Sequence, residues 1–114
     1  MNRSAPVQVL GLAAVLVACA SPPSTPPVTP VAISNFTFSP PDVTIKTGAT
    51  VTWTNDDAAT HTVTSDTAEG QDAFDSGPLA KGASYSRTFA RTGDFTYHCN
   101  IHPQMTATVH VRSP

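Results

Sequence analysis

Past residue 18 the chain contains a single leucine, Leu79, while all 17 threonines and all eight aromatic residues lie there. Helical bundles are built on leucine-type stripes. β-Branched and aromatic side chains suit a pleated, half-buried surface instead. The 84 residues from Val31 to Pro114 are therefore expected to form one all-β domain, with no room for a second core. Without Arg3, which belongs to the leader, five Lys and Arg face eight Asp and Glu, a net charge of −3. That balance excludes a basic nucleic-acid footprint and a polybasic membrane surface.

Short strands and turns alternate from Val31 onward. Val31–Phe38 reads as a first β segment ended by Pro40-Pro41, and Asp42–Lys46 as a second with Val43 and Ile45 on one face. In Thr50–Thr54, Val51 and Trp53 point inward and the threonines outward. Alternation resumes at His61–Ser65, with His61 and Val63 inward and Thr62 and Thr64 outward. A long acidic connection, Asp66–Leu79, leads to Ser84–Phe89, Asp94–Cys99 and Ala107–Val111. Seven or eight strands in this length imply an antiparallel Greek-key β-sandwich.

The N-terminal end has a different character. Met1-Asn2-Arg3 precedes an apolar run, Val7–Ala18, that is too short to span a bilayer and reads as an export signal over residues 1–18. The run ends in Leu16-Val17-Ala18-Cys19, which resembles the bacterial lipobox, and this resemblance implies lipid attachment at Cys19. The alternative is an ordinary signal peptide followed by a chance cysteine. Five prolines between Ala20 and Pro30 make residues 19–30 an extended tether. A lipidated Cys19 leaves Cys99 without an intramolecular disulfide partner.

The chemistry is concentrated in Phe95-Thr96-Tyr97-His98-Cys99-Asn100-Ile101-His102-Pro103-Gln104-Met105. Strand alternation turns Phe95, Tyr97 and Cys99 inward, and a short loop then presents His102 and Met105. A thiolate, an imidazole and a thioether come together within seven residues. His61 is the candidate for a second imidazole. Thiolate and imidazole satisfy Cu(I) and Cu(II) alike, and a weak thioether favours the reduced ion. Zinc accepts Cys and His but has no use for Met.

Residues 31–114 resemble a cupredoxin of the plastocyanin and amicyanin group, and the spacing Cys99-x2-His102-x2-Met105 matches the short amicyanin-type ligand loop. Thr50–Asn55, His61-Thr62-Val63, Phe74-Asp75-Ser76-Gly77 and Gly93-x-Phe95-x-Tyr97-x-Cys99 stand where that group has its supporting elements. The resemblance implies an eight-stranded sandwich and a type 1 blue-copper site. One copper per chain, cycling between Cu(I) and Cu(II), would be held by His61, Cys99, His102 and Met105. It also implies a monomeric one-electron carrier whose redox donor and acceptor dock near His102, Ile101 and Pro103; the export signal and the lipobox-like Cys19 add the expectation that it is membrane-tethered outside the cytoplasm. Asn100-Ile101 and Gln104 depart from the Pro and Phe of amicyanin, and Thr62 stands where these proteins often have Asn. The alternative function is copper storage or delivery, which favours Met-rich sites. No enzyme is expected, since four protein ligands leave no open position for a substrate.

Other residues have plainer readings. His110 shares an outward face with Thr106, Thr108 and Arg112, and His98 must point away from the thiolate that follows it. Tyr97 suits a tyrosine-corner hydrogen bond. Asp66, Glu69, Asp72 and Asp75 recur at every third position, which is not the alternate-position ligand pattern of a calcium loop, and they read as a solvated loop; Asn35-Phe36-Thr37 is a glycosylation sequon only formally.

Overall fold

The computed structural model describes residues 27–114; the expected leader, Cys19 and the expected tether up to residue 26 lie outside the described residues. The described chain forms β1 (Val28–Ser34), β2 (Thr37–Ser39), β3 (Asp42–Lys46), β4 (Thr50–Asn55), β5 (Thr64–Ser65), β6 (Ser84–Thr88), β7 (Gly93–His98) and β8 (Thr106–Arg112). One sheet runs β2-β1-β4-β6 and the other β3-β8-β7-β5, which makes the expected sandwich. Its sheets are mixed rather than antiparallel throughout, because β1 lies parallel to β4 and β3 parallel to β8. The chain crosses from β2 to β3 in the opposite sheet and returns for β4, so neighbours within each sheet are not always joined by a hairpin.

Strand alternation sets the core. Val51, Trp53 and Asn55 of β4 and Ala107, Val109 and Val111 of β8 are buried, while the intervening residues are not. On the outer face of β4 and β6 the hydroxyls pair at each step, Thr50 with Thr88 and Thr52 with Ser86 at 2.7 Å, and Thr54 with Ser84 at 2.8 Å. Such cross-strand pairs contribute roughly 0.2–1 kcal/mol each, which gives the threonine-rich outer face a structural use. Trp53 sits at the centre with Phe74, Tyr85, Phe89 and Tyr97 around it. Its Nε1 donates to the Tyr97 hydroxyl at 3.0 Å. Burial pushes the Tyr97 phenol up to about 12, so it stays neutral. The expected tyrosine corner is thus replaced by a side-chain bond between the two sheets.

Three boundaries differ from expectation. Val31–Phe38 is two strands, because Asn35 and Phe36 adopt positive φ (53° and 57°) and fold β2 back onto β1. No glycine marks that turn. The first strand starts at Val28, inside the expected tether, with Pro30 paired to Thr52. Since β2 covers only Ala32–Ser34, the first half of β1 has an open edge, where a residue lacking an N–H is tolerated. Finally, only Thr64 and Ser65 of the His61–Ser65 segment are strand, and Thr62 is buried rather than outward.

His110 lies outside the core as expected. Its Nδ1 is 2.9 Å from Asp94 on β7 and its Nε2 3.1 Å from Asp42 on β3, and Arg112 is also paired with Asp94. The hydrogen bond to Asp94, and then that to Asp42, raises the His110 pKa above 6.5. Because the folded-state pKa is raised, the stabilisation is complete below the unfolded value of 6.5 and is lost as pH rises through the higher folded-state value. Thermal melts of wild type and His110→Ala should therefore differ at about pH 5.5 and converge by about pH 9; a difference that grows with pH would refute the pairing.

Candidate metal centre

The end of β7, the loop from Cys99 to Met105 and the connection between β4 and β5 meet at one pole of the sandwich. Cys99 is fully buried there, with its Sγ 3.7 Å from His61 Nδ1 and 3.8 Å from His102 Nδ1. The two Nδ1 atoms are 3.2 Å apart. Among the described residues, His61, Cys99 and His102 are the one group of at least three His, Cys, Asp or Glu residues whose ligand atoms converge, all within 4.8 Å. Met105 is buried at the end of the same loop. Its N–H donates to the His102 carbonyl at 2.9 Å, and its carbonyl accepts from Cys99 N–H at 3.1 Å. These two bonds close the loop and bring all four sequence-predicted residues to one end of the domain.

Hydrogen bonds from the neighbouring connection fix the donors. His61 exchanges two backbone bonds with Leu79, at 3.2 and 2.8 Å. Thr62 N–H donates to Cys99 Sγ at 3.3 Å, and Thr62 Oγ1 accepts from Asn100 N–H at 2.7 Å. Thr62 turns inward because its hydroxyl satisfies this part-buried loop amide. Ser76 exchanges two bonds with Val63, which ties the Phe74–Gly77 stretch behind the site.

Two contributors were not assigned a role from sequence. The buried Asn55 amide donates to the Ala59 and Leu79 carbonyls, both at 2.8 Å, and its carbonyl oxygen accepts from Asp57 N–H at 2.9 Å. It holds the connection that carries His61. Asp57 Oδ2 lies 2.9 Å from His61 Nε2. A carboxylate only accepts, so the proton belongs on Nε2, and the Nδ1 lone pair faces Cys99 and His102. Bonds from the backbone amide of Phe36, reinforced by His61 and Asn35, hold the Asp57 carboxyl below its usual value. A polar residue at the end of a strand and an acid four residues before a histidine were the available signals, but both also occur in ordinary turns.

The remaining titratable groups stand apart. His98 points away from Cys99, with Nδ1 2.6 Å from Asp66 and Nε2 2.9 Å from the Asn100 side-chain oxygen. Its pKa is raised, first by the Asp66 hydrogen bond. Asp72 pairs with Arg91, and Asp75 accepts from Thr64 Oγ1 and Gly77 N–H.

A soft thiol sulfur and two imidazole nitrogens aimed at one another, with a thioether in the same loop, fit copper. Comparison with known proteins decides the family, since the profile described as copper binding proteins, plastocyanin/azurin family, matches residues 28–112. The chain belongs to that family. Copper is accordingly its cofactor. This cupredoxin is 37% identical over 76 residues to amicyanin of Paracoccus versutus, a match covering 66% of this chain and 58% of that one. It is also 37% identical over 78 residues to amicyanin-alpha of Methylorubrum extorquens, covering 68% and 66%. The match thus spans somewhat less than two thirds of the length of each of these relatives. Among solved structures, a reduced Cu(I) form of an amicyanin variant superposes with a TM-score of 0.70 at 34% identity, covering 75% of this chain and 82% of that one.

Replacing Asn55 with Ala leaves the part-buried Ala59 carbonyl and the Asp57 amide without their partner, and takes from the buried Leu79 carbonyl one of its two donors, the other being His61 N–H. We expect the metal-free cupredoxin to lose about 3 kcal/mol of stability, read as a lower urea midpoint with an unchanged slope; a loss below about 1 kcal/mol would show that Asn55 does not hold the connection.

Proposed function

We propose that this cupredoxin is a one-electron carrier outside the cytoplasm, with a single copper held by His61, Cys99, His102 and Met105. The convergence of the three donor atoms at 3.2 to 3.8 Å is the observation that carries this reading. Bound there, copper supplies the Cu(I)/Cu(II) couple. The protein supplies rigidity: Asp57 fixes the His61 tautomer, Thr62 N–H bonds to the Cys99 sulfur, and the Cys99–Met105 backbone bond fixes the span of the loop. A framework held in this way changes little when the ion changes charge.

His61 and Cys99 are sealed from solvent, whereas His102 is half-buried and flanked by exposed Ile101 and Pro103. His102 is therefore the proposed port for electrons, and the apolar surface beside it the proposed docking site for donor and acceptor. The relatives named amicyanin support the same reading. Copper storage or delivery is less well supported, because Met105 is the one methionine beyond the leader.

Titration with Cu(II) should produce an intense visible thiolate-to-copper band and a reversible one-electron wave. Cys99→Ser should abolish the band, and His110→Ala should leave it unchanged. A protein that stays colourless but passes Cu(I) to an acceptor would make it a delivery protein.

We further propose that the chain is exported by residues 1–18 and anchored through lipid on Cys19, with residues 19–30 as the spacer, only the last of which join β1. Expressed with its leader in a bacterial host, the wild-type chain should partition into the detergent phase on cloud-point extraction and Cys19→Ser into the aqueous phase. Aqueous partition of both would refute the anchor.

A further inference from the structure

We propose that Phe36 is a positioning residue for the copper site, its ring holding the imidazole planes of His61 and His102. This role rests on copper being held by those two histidines. Asn35 and Phe36 form the two-residue turn between β1 and β2, closed by the Ser34–Thr37 pair, with both φ values positive. Turns of this kind favour Asn-Gly, because the second residue occupies a region that side chains disfavour. A bulky aromatic there works against the local backbone. Core packing does not explain it either, since Phe36 is 48% exposed.

What Phe36 meets does explain it. Its ring centroid lies 5.1 Å from that of His61 and 5.0 Å from that of His102, at 89° to both. That is the edge-to-face arrangement aromatic quadrupoles prefer. His61 is independently oriented by the Asp57 hydrogen bond at Nε2. Among the described residues, no hydrogen bond reaches Nε2 of His102, and the aromatic rings against it are those of Phe36 and His61. Rotation of the His102 plane would disturb its contact with Phe36, so this ring restrains the imidazole that lacks a polar anchor.

Asp57 ties the turn to the site. Its Oδ1 accepts from Asn35 N–H at 2.8 Å, and its Oδ2 accepts from Phe36 N–H at 2.9 Å while lying 2.9 Å from His61 Nε2. One carboxylate thus secures both amides of the disfavoured turn and one ligand ring. The position of Phe36 is set relative to His61 by two hydrogen bonds through a shared oxygen.

The test separates this role from a structural one, because Phe36→Gly supplies the residue that the turn favours. The metal-free variant should melt at the wild-type temperature or above it. In the copper form, the visible charge-transfer band should change in position or intensity ratio, and Cu(I) should pass to a chelator at least about tenfold faster. Phe36→Tyr, which keeps the ring, should restore both the spectrum and the release rate to within about twofold of wild type. A Phe36→Gly protein with wild-type spectrum and release rate would overturn the inference, as would one whose metal-free form melts well below wild type with an unchanged spectrum. A wild-type protein showing no copper band at all would overturn the copper assignment, and this inference with it.

Discussion

The pairing of β7 with β8 places Tyr97 opposite Ala107 and His98 opposite Thr106. Because successive side chains on a strand face opposite ways, this register turns Tyr97 and Cys99 inward and His98 outward. A slip of one residue would exchange the two faces, putting an imidazole into the core and the thiol into water. The fully buried Val109 and Val111, and Ala107 at 8% exposure, oppose such a slip, since their alternation allows only one face of β8 to be buried. The copper-binding thiol is therefore aimed by hydrophobic patterning several residues away. Its loop then needs only the Cys99–Met105 and Met105–His102 backbone bonds to complete the turn.

The second requirement is to bring His61 to that thiol from a distant part of the chain. Trp53 and Tyr97 join the sheets at the centre, with the indole N–H donating to the phenol oxygen. Two residues beyond Trp53, Asn55 satisfies three backbone groups of the connection leading to His61. Aromatic packing and buried amide bonds thus do different jobs along one strand. The first sets the separation of the layers, and the second fixes an irregular segment that has few ladder bonds of its own. Such a segment can hold a ligand firmly without being a strand.

The sandwich and the four proposed ligands were legible because they depend on period-two alternation and on a compact run of unlike donor types. Val51, Trp53, Val109 and Val111 point inward as their spacing requires. What escaped the sequence were features decided by tertiary partners. Thr62 fits the outward half of an alternating segment, yet is drawn inward by the Asn100 amide. The Asn35-Phe36 turn lacks the glycine that would announce it and is held by Asp57, 21 residues from Phe36. Pro30 reads as part of a spacer until the absence of β2 beside it leaves an open strand edge. Tyr97 was expected to bond locally and found Trp53, 44 residues away.

The parallel pairing of β1 with β4 has a geometric consequence. It places Val28 beside Thr50, and the Pro27 carbonyl accepts from Thr50 N–H, whereas Ile33 lies beside Asn55 near the donor cluster. At about 3.3 Å per residue, the two ends of this pairing are separated by much of the length of the sandwich. The upstream chain consequently joins the domain at the pole remote from His102. An anchor on that side, as proposed for Cys19, would leave Phe36, Ile101 and Pro103 facing outward, and the length of the proposed spacer would then set the reach of this face without covering it.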